Sequence, residues 1–323
     1  DILIVDQLVK DHYGHLWEEA ALTEIVLVAN ENQKSYNAIE DIIDQIVAKG
    51  FRRNNRLIAI GGGIIQDVTS FISHIIYRGV DWLFFPTNLL SQCDSCIGSK
   101  LSVNLGKYKN IIGGFYPPKE IYIDINFLKT LSRKDVLSGL GEMLHYFLID
   151  GRESATIFAE NVPKVKENLK EIDTLIFRSL AIKKAMIEKD EFDQGPRNIF
   201  NYGHTFGHAL ESVTNYSIPH GIAVSLGIDL ANLVSVDLGL ISMQERNEMR
   251  QLCKLVFEDM QVPNFDLQEY ERALRKDKKN EGNTIGLILT NGMGKAFKRQ
   301  TAFESIQARA KAFYKEQLYR KDL

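Results

Sequence analysis

Short apolar runs alternate with helical patterns through the first 125 residues of this 323-residue chain. Helical spacing of apolar residues marks the segments Ser35–Lys49 and Ile65–Tyr77. Five apolar runs have the length and composition of buried strands, namely Ile2–Val5, Glu24–Val28, Arg56–Ile60, Trp82–Phe85 and Ile121–Asp124. Strands that alternate with helices predict a Rossmann-like domain with a doubly wound, mostly parallel sheet.

The pattern after residue 125 is almost entirely helical, apart from one strand-like run at Thr284–Leu289. Since a chain of 323 residues exceeds what one core usually serves, two domains are expected, at residues 1–125 and 126–323. The second is predicted to be all-α. Its helical segments are Leu140–Ile149, Val162–Leu169, Asp173–Lys189, Asn201–Val213, Gly221–Leu238, Met243–Phe257, Leu267–Arg275 and Phe303–Tyr314.

Composition excludes several classes of function. A net charge of −3 gives no sign of a nucleic-acid surface. No apolar run approaches the roughly 20 residues of a membrane span, and the opening DILIVDQLVK lacks the pattern of a signal peptide. Three cysteines make no disulfide framework, so a cytoplasmic protein is expected.

Cys93 and Cys96 form a C-x-x-C pair. Such a pair can be a redox couple or half of a zinc site, but it can also be two small buried side chains. Because no second C-x-x-C exists, we favour the structural interpretation.

A strand followed by Gly61-Gly62-Gly63 and a helix is suited to a phosphate or pyrophosphate. Glycine lets the backbone approach the ligand, and the helix N-terminus supplies N–H groups. Gln66 stands where the third glycine of a G-x-G-x-x-G would be, so a tight structural turn is an equal alternative. Asp67 in the first helical turn could contact a ribose or a nicotinamide.

The segment Gln92–Asn110 is predicted to be a loop. It combines Asp94, Lys100, Lys109 and Asn110 with glycines and serines. This composition suits an anionic ligand, although an exposed polar loop would look the same.

Three of the seven histidines fall within seventeen residues. His204 and His208 are four apart on a predicted helix and share a face with Glu211, whereas His220 lies beyond a turn. Spacing alone therefore favours His204 and His208 as a metal pair. Such pairs also arise by chance.

Together these segments resemble the 3-dehydroquinate synthase family of sugar phosphate cyclases, from Asp1 to about Lys295. The order and spacing of many matches make the resemblance specific. It is carried by IAIGGGIIQDV, YRGV, PTNLLSQCDSCIGSK, KNIIGGFYPP, LKTL, SGLGEM, IKKAMIEKDE, GPRNIFNYGHTFGHALE, HGIAVSLG and RKDKK.

The resemblance implies a different metal set from the one that spacing favours. It points to Glu142, His204 and His220 as ligands of one divalent metal, usually zinc, with cobalt as an alternative. His208 then faces the substrate phosphate. For NAD, the resemblance implies Asp6, Glu31, Lys34, Gly62, Gly63, Asp67, Thr87, Asn88, Lys109, Phe127, Thr130 and Leu131.

The implied substrate contacts are Asp94, Lys100, Asn110, Lys183, Arg197 and Asn201, with Lys278 or Lys279 at the phosphate. Arg78 is implied to reach the site of a neighbouring subunit, which predicts a homodimer. One departure stands out. The family usually has a lysine that holds substrate hydroxyls three residues after the metal glutamate, and this chain has His145.

The resemblance implies an NAD- and metal-dependent lyase of the shikimate pathway. It would convert a phosphorylated heptulosonate (DAHP) to 3-dehydroquinate by oxidation, β-elimination of phosphate, reduction and aldol closure. His145 keeps a second hypothesis open, a cyclase for another sugar phosphate such as sedoheptulose 7-phosphate. A metal-dependent polyol dehydrogenase and a non-catalytic paralogue are the remaining alternatives.

Overall fold

The computed structural model describes residues 1–106, 108–258, 260–276 and 282–319. The chain divides into two compact units, residues 1–132 and 133–323. The assignment of a cofactor domain to residues 1–125 and of a metal and substrate domain to residues 126–323 stays a prediction. Within the described residues, no helix combines the length and apolar character needed to cross a bilayer.

The N-terminal unit is built on a five-stranded sheet in the order β2-β1-β3-β4-β7. Every neighbouring pair is parallel, which confirms the predicted Rossmann-like sheet. Its strands are β1 (Ile2–Asp6), β2 (Thr23–Leu27), β3 (Leu57–Gly61), β4 (Trp82–Pro86) and β7 (Glu120–Ile121).

Helices pack on this sheet because parallel strands must be covered on both faces. In the described part of this unit, the α-helices are α1 (Gln7–Tyr13), α2 (Tyr36–Ala48) and α3 (Gly63–Ile75). Val9 of α1 joins Leu3, Val5, Ile60 and Phe127 in one buried cluster.

The segment predicted as a loop at residues 92–110 is largely ordered secondary structure, so that prediction was wrong. It contains one π-helical turn, Ser91–Ser95, and an antiparallel hairpin of β5 (Lys100–Leu105) and β6 (Tyr108–Phe115). β5 reads KLSVNL, an alternation of polar and apolar residues that is typical of a half-buried strand. The backbone N–H of Ser102 donates to Asp67 of α3, and Asn104 accepts from the backbone N–H of Asn110 in β6. Cys93 and Cys96 are fully buried, as the structural interpretation predicts.

The C-terminal unit surrounds one long buried helix, α8, whose residues are buried on every side. A helix that is apolar all round belongs in the interior. Helices α4, α7 and α9 pack against α8. The helices of this unit are α4 (Arg133–Asp150), α5 (Arg152–Glu167), α6 (Asp173–Ile187), α7 (His204–Val213), α8 (His220–Asp237), α9 (Met243–Phe257), α10 (Leu267–Arg275) and α11 (Phe303–Tyr319).

One local prediction was wrong in its boundary and another was confirmed. The helix predicted for Asn201–Val213 begins only at His204, because residues Pro196–Asn201 form a separate 3-10 turn. Gly203 breaks the chain between them with a φ of +80°. The predicted strand at residues 284–289 is confirmed, since β8 (Thr284–Thr290) pairs antiparallel with β9 (Ala296–Ala302).

Candidate active site

The first group of site residues lies at the carboxyl ends of neighbouring parallel strands. In the sheet, β2 lies on one side of β1 and β3 lies on the other. The strand order therefore reverses between β1 and β3. Ligands of parallel sheets bind at such a switch point. Asp6 ends β1, Gly61 ends β3, and Thr87 and Asn88 follow β4.

The glycine turn brings backbone N–H groups to this edge. Gly62 caps α3 without a side-chain hydrogen bond, so the cap leaves the first N–H groups of that helix available to an anion. A Cβ on Gly62 would lie 2.3 Å from Nδ2 of Asn88. A residue with a Cβ at this position would therefore displace the Asn88 side chain.

An ion pair between buried Lys34 and partly buried Asp67 lies at the second turn of α3. Nζ of Lys34 is 2.5 Å from Oδ2 of Asp67, and the backbone N–H of Ser102 donates to the other oxygen (3.3 Å). Burial raises the pKa of Asp67, and Lys34 offsets only part of that rise. Asn104 of β5 donates to Glu31 (2.6 Å). These contacts join the turn before α2, the start of α3 and the hairpin into one structure.

The remaining residues that the resemblance assigns to NAD lie in a 3-10 turn of this unit or near the start of β6. Thr130 ends the 3-10 turn Ile125–Thr130, and its hydroxyl is 3.2 Å from that of Tyr13. Leu131 directly follows this turn. Nζ of Lys109 lies 3.9 Å from Glu31. The Phe127 side chain is packed in the core cluster. A ligand would therefore meet its backbone.

Four predicted substrate residues belong to this same unit. Asp94 lies in the π-helical turn, Lys100 begins β5, and Asn110 stands in β6 with a φ of +52°. Arg78 is exposed on a turn in which Tyr77 and Arg78 both have positive φ, at +50° and +65°. Two consecutive non-glycine residues in this region are a strained arrangement.

In the C-terminal unit, Glu142 of α4 lies between two imidazoles. Its Oε1 is 3.6 Å from Nε2 of His204, and its Oε2 is 3.2 Å from Nε2 of His220. Neither contact forms a hydrogen bond, although Oε2 is fully buried. Two ligands about 2.1 Å from one tetrahedral ion lie roughly 3.4 Å apart. The three side chains therefore fit a divalent cation.

The charges of this cluster depend on one another. Burial alone would raise the pKa of Glu142, but His204 and its neighbours hold that pKa well below its usual value. Burial alone would lower the pKa of His220, but Glu142 and Glu211 hold it well above its usual value. The buried carboxylate thus stays ionised through adjacent positive charge, which a bound cation would also supply.

Two further histidines, His208 and His145, lie beside the cluster of Glu142, His204 and His220. His208 is exposed, and one ring nitrogen each from His204, His208 and His220 lies within 4.8 Å of the others. This set includes the pair that spacing alone favours. His145 is only 1% exposed, with Nδ1 3.9 Å from Oε1 of Glu142. Its ring packs edge-on against His204 at 5.3 Å.

Glycines next to the ligand candidates let their helices touch. A Cβ on Gly141 would lie 2.1 Å from the carbonyl oxygen of Gly221, and one on Gly221 would lie 1.7 Å from that of Ser138. A Cβ on Gly203 would lie 2.5 Å from the carbonyl oxygen of Val224. Glu142, His220 and His204 are therefore neighbours in space because backbones pack directly against each other at the adjoining positions.

The other predicted substrate residues of this unit lie on elements that contact α4. Lys183 on α6 and Arg197 in the 3-10 turn are buried, and that turn packs against both α4 and α6. Arg197 donates to the carbonyl oxygen of Glu191 (2.6 Å), and Asn201 donates to that of Asn198 (3.1 Å). Lys278 and Lys279 lie outside the described residues.

Sequence reasoning assigned no role to two groups that contact the imidazoles. Nδ1–H of His204 donates to the carbonyl oxygen of Tyr202 (3.2 Å), and Nδ1–H of His220 donates to Oε2 of Glu211 (3.0 Å). The sequence placed Glu211 on the same helix face as His204, two helical turns later, but gave it no partner. The Tyr202 carbonyl has no signal in a sequence.

Comparison with known proteins gives matches over most of the chain. Residues 24–138 match the family described as 3-dehydroquinate synthase N-terminal, and residues 139–280 match 3-dehydroquinate synthase C-terminal. The chain is 35% identical over 299 residues to the 3-dehydroquinate synthase of Alkaliphilus metalliredigens (strain QYMF). That alignment covers 91% of this chain and 84% of the relative.

Two solved structures share the fold. One is 2-deoxy-scyllo-inosose synthase in complex with carbaglucose-6-phosphate, NAD+ and Co2+, with a TM-score of 0.84, 23% identity and 96% and 90% of the two chains covered. The other is ValA, a 2-epi-5-epi-valiolone synthase from Streptomyces hygroscopicus subsp. jinggangensis 5008 with NAD+ and Zn2+ bound. Its TM-score is 0.85 at 22% identity, with 98% and 91% covered.

The glycine contacts generate a prediction about stability. We expect Gly221→Ala to lower the free energy of unfolding by about 1–3 kcal/mol, because the new methyl group meets a backbone carbonyl that cannot turn away. The measurement is the urea unfolding midpoint at an unchanged slope. Gly14→Ala is the matched control, since its nearest neighbour is a flexible side chain at 3.4 Å. Equal midpoints for the two variants would contradict the account.

Proposed function

Because the chain belongs to the 3-dehydroquinate synthase family, we propose that it converts a phosphorylated heptulosonate (DAHP) to 3-dehydroquinate and phosphate. It is an NAD- and metal-dependent lyase in this proposal, and its pathway is the shikimate pathway. The observation that carries the proposal is the buried Glu142 carboxylate, which faces Nε2 of both His204 and His220.

The proposed metal ligands are Glu142, His204 and His220, with zinc or cobalt as the ion. The three imidazoles His204, His208 and His220 form a competing set. We favour the set with Glu142 because a buried carboxylate supplies the negative charge that a divalent cation requires. His208 is exposed, which leaves it available to face the substrate phosphate.

The proposed NAD site lies at the switch point of the parallel sheet. Gly62 and Gly63 would approach the pyrophosphate at the start of α3, and Asp6, Thr87 and Asn88 end the neighbouring strands. The other NAD contacts that we propose are Glu31, Lys34, Asp67, Lys109, Phe127, Thr130 and Leu131.

When bound, NAD would supply reversible hydride transfer and the cation would supply Lewis acidity. The residues of the chain hold the substrate in place. Buried Lys183 and Arg197 offer positive charge, and Arg197 is oriented by the carbonyl of Glu191. The substrate's own phosphate takes the proton in β-elimination, and His208 helps phosphate to leave.

Further substrate contacts complete the proposal. Asn201 and Asn110 can hydrogen-bond to ring hydroxyls of the substrate, and Asp94 accepts hydrogen bonds from such hydroxyls. Lys100, with Lys278 or Lys279, adds charge for the phosphate. NAD is restored within each turnover, so the net products are one carbocycle and one phosphate.

His145 favours a second candidate function. It stands where the family has a lysine for substrate hydroxyls, yet it is 1% exposed and lies beside Glu142. A short buried imidazole cannot replace an ammonium group on a flexible stem. A cyclase that acts on another sugar phosphate, such as sedoheptulose 7-phosphate, is therefore the alternative substrate assignment.

A direct assay separates these functions. Purified protein is incubated with NAD, Zn2+ or Co2+ and either the heptulosonate phosphate or sedoheptulose 7-phosphate. We expect phosphate release from the heptulosonate without net NADH, because the hydride is returned. Glu142→Gln should lower kcat/KM by about a hundredfold or more, since the variant loses the charge that holds the cation.

Glu248→Gln is the control for that assay, because Glu248 forms a surface ion pair with Arg152. Release only from sedoheptulose 7-phosphate would support the alternative substrate. Accumulation of NADH without phosphate release would point to a polyol dehydrogenase. No turnover by protein that binds NAD and metal would indicate a non-catalytic paralogue.

We also propose that the enzyme is a homodimer in which Arg78 completes the site of the other subunit. Arg78 is exposed, beside Tyr77 and Ile75, which are 40% and 43% exposed. The strained backbone at Tyr77 and Arg78 supports a functional role for this turn, because strain persists where an interaction requires it.

Mixing two inactive variants tests this arrangement. In a hybrid of Arg78→Ala and Glu142→Gln subunits, one of the two sites would contain both native residues. Random reassociation should therefore restore roughly a quarter of the wild-type activity. Activity that stays at the level of the separate variants, or a wild-type protein that sediments as a monomer, would contradict the proposal.

We place the enzyme in the cytoplasm. Three cysteines, all buried, are typical of a protein that keeps its thiols reduced. Recovery of the native protein in a membrane or secreted fraction would contradict this location.

A further inference from the structure

A carboxylate outside the proposed ligand set contacts one of its imidazoles. Oε2 of Glu211 accepts a hydrogen bond from Nδ1 of His220 at 3.0 Å. Glu211 lies on α7 and is 8% exposed, whereas His220 is the first residue of α8. Because a carboxylate accepts and does not donate, this contact places a proton on Nδ1 and leaves Nε2 to face Glu142.

The two imidazoles of the cluster are held in the same way. His204 also donates from Nδ1, to the carbonyl oxygen of Tyr202, and its Nε2 also faces Glu142. The acceptors differ in charge. A carboxylate is a stronger acceptor than a carbonyl, so it fixes the ring more firmly and makes Nε2 a better electron donor.

The turn between α7 and α8 is shaped by the same residue. The backbone N–H of Tyr216 donates to the carbonyl oxygen of Glu211 at 2.8 Å. Asn215 and Tyr216 have positive φ, at +50° and +58°. Such a conformation is costly for tyrosine and is kept where the surrounding structure requires it. Here the turn returns the chain so that His220 meets the helix that carries Glu211.

We propose that Glu211 is a positioning residue that sets the tautomer and ring orientation of His220 for binding a divalent cation. The proposal rests on the proposed function, because it takes His220 as a ligand. Glu211 itself does not contact the cation. It acts through His220, so its removal should change the affinity and geometry of the site more than the stability of the fold.

Cobalt binding tests this role in the full chain. Glu211→Ala should raise the Co2+ dissociation constant by about 10–100-fold, the usual effect of losing a partner of a ligating histidine. Its visible Co2+ absorption spectrum should also change, because the His220 ring is no longer oriented. Glu211→Gln should recover most of the affinity, since its amide oxygen still accepts from Nδ1–H. Ser212→Ala, exposed on the same helix, is the control and should match the wild type.

The outcomes separate this proposal from the proposed function. Wild-type protein that binds no Co2+ would overturn both. Wild-type binding with an unchanged affinity and spectrum in Glu211→Ala would overturn only the role of Glu211. Equal loss of Co2+ affinity in the Ala and Gln variants, with the same fall in the melting temperature of the metal-free protein, would show a structural role and would also overturn it.

Discussion

Three helices of the C-terminal unit touch backbone to backbone, and the candidate metal residues stand at these contacts. Gly141, Gly203 and Gly221 each leave no room for a methyl group, and they adjoin Glu142, His204 and His220 respectively. These close contacts bring the three residues near one another, and their side chains meet at Glu142. The buried helix α8 provides the common surface, because α4 and α7 both pack against it. The geometry of the site is thus a consequence of how the unit packs.

This convergence has an electrostatic cost that the site itself offsets. A carboxylate as buried as Glu142 is unfavourable unless positive charge lies beside it. The imidazoles hold its pKa below the usual value, and Glu211 in turn hydrogen-bonds to His220. The charges alternate from Glu142 through His220 to Glu211. Such an arrangement is well suited to take up a divalent cation in place of protons.

Much of this architecture could be predicted from the sequence, for physical reasons. The parallel sheet follows from apolar runs that alternate with helices, and the glycine turn after β3 is visible in the letters. The β5 and β6 hairpin was missed although β5 reads KLSVNL and alternates, because the glycines, serines and lysines of this segment also suit a loop. The helix containing His204 begins three residues later than predicted for Asn201–Val213, because Gly203 takes a left-handed conformation.

The candidate site, like the fold, could be predicted from the sequence only in part. Local spacing could pair His204 with His208, because they share one helix, but it could not reach Glu142, which is 62 residues away on α4. Contacts of that kind depend on tertiary packing and need either a resemblance or a structure. Glu211 lay on the correct helix face, yet its partner His220 lies beyond a turn whose course depends on positive φ angles.

The identity of the metal ligands is the central claim, and anomalous diffraction from crystals of the zinc-loaded protein tests it most directly. Data collected above and below the zinc edge locate the ion without reference to the protein. We expect one peak about 2.0–2.2 Å from a carboxylate oxygen of Glu142 and from Nε2 of both His204 and His220. A peak held by His204, His208 and His220, with Glu142 outside bonding distance, would contradict the account.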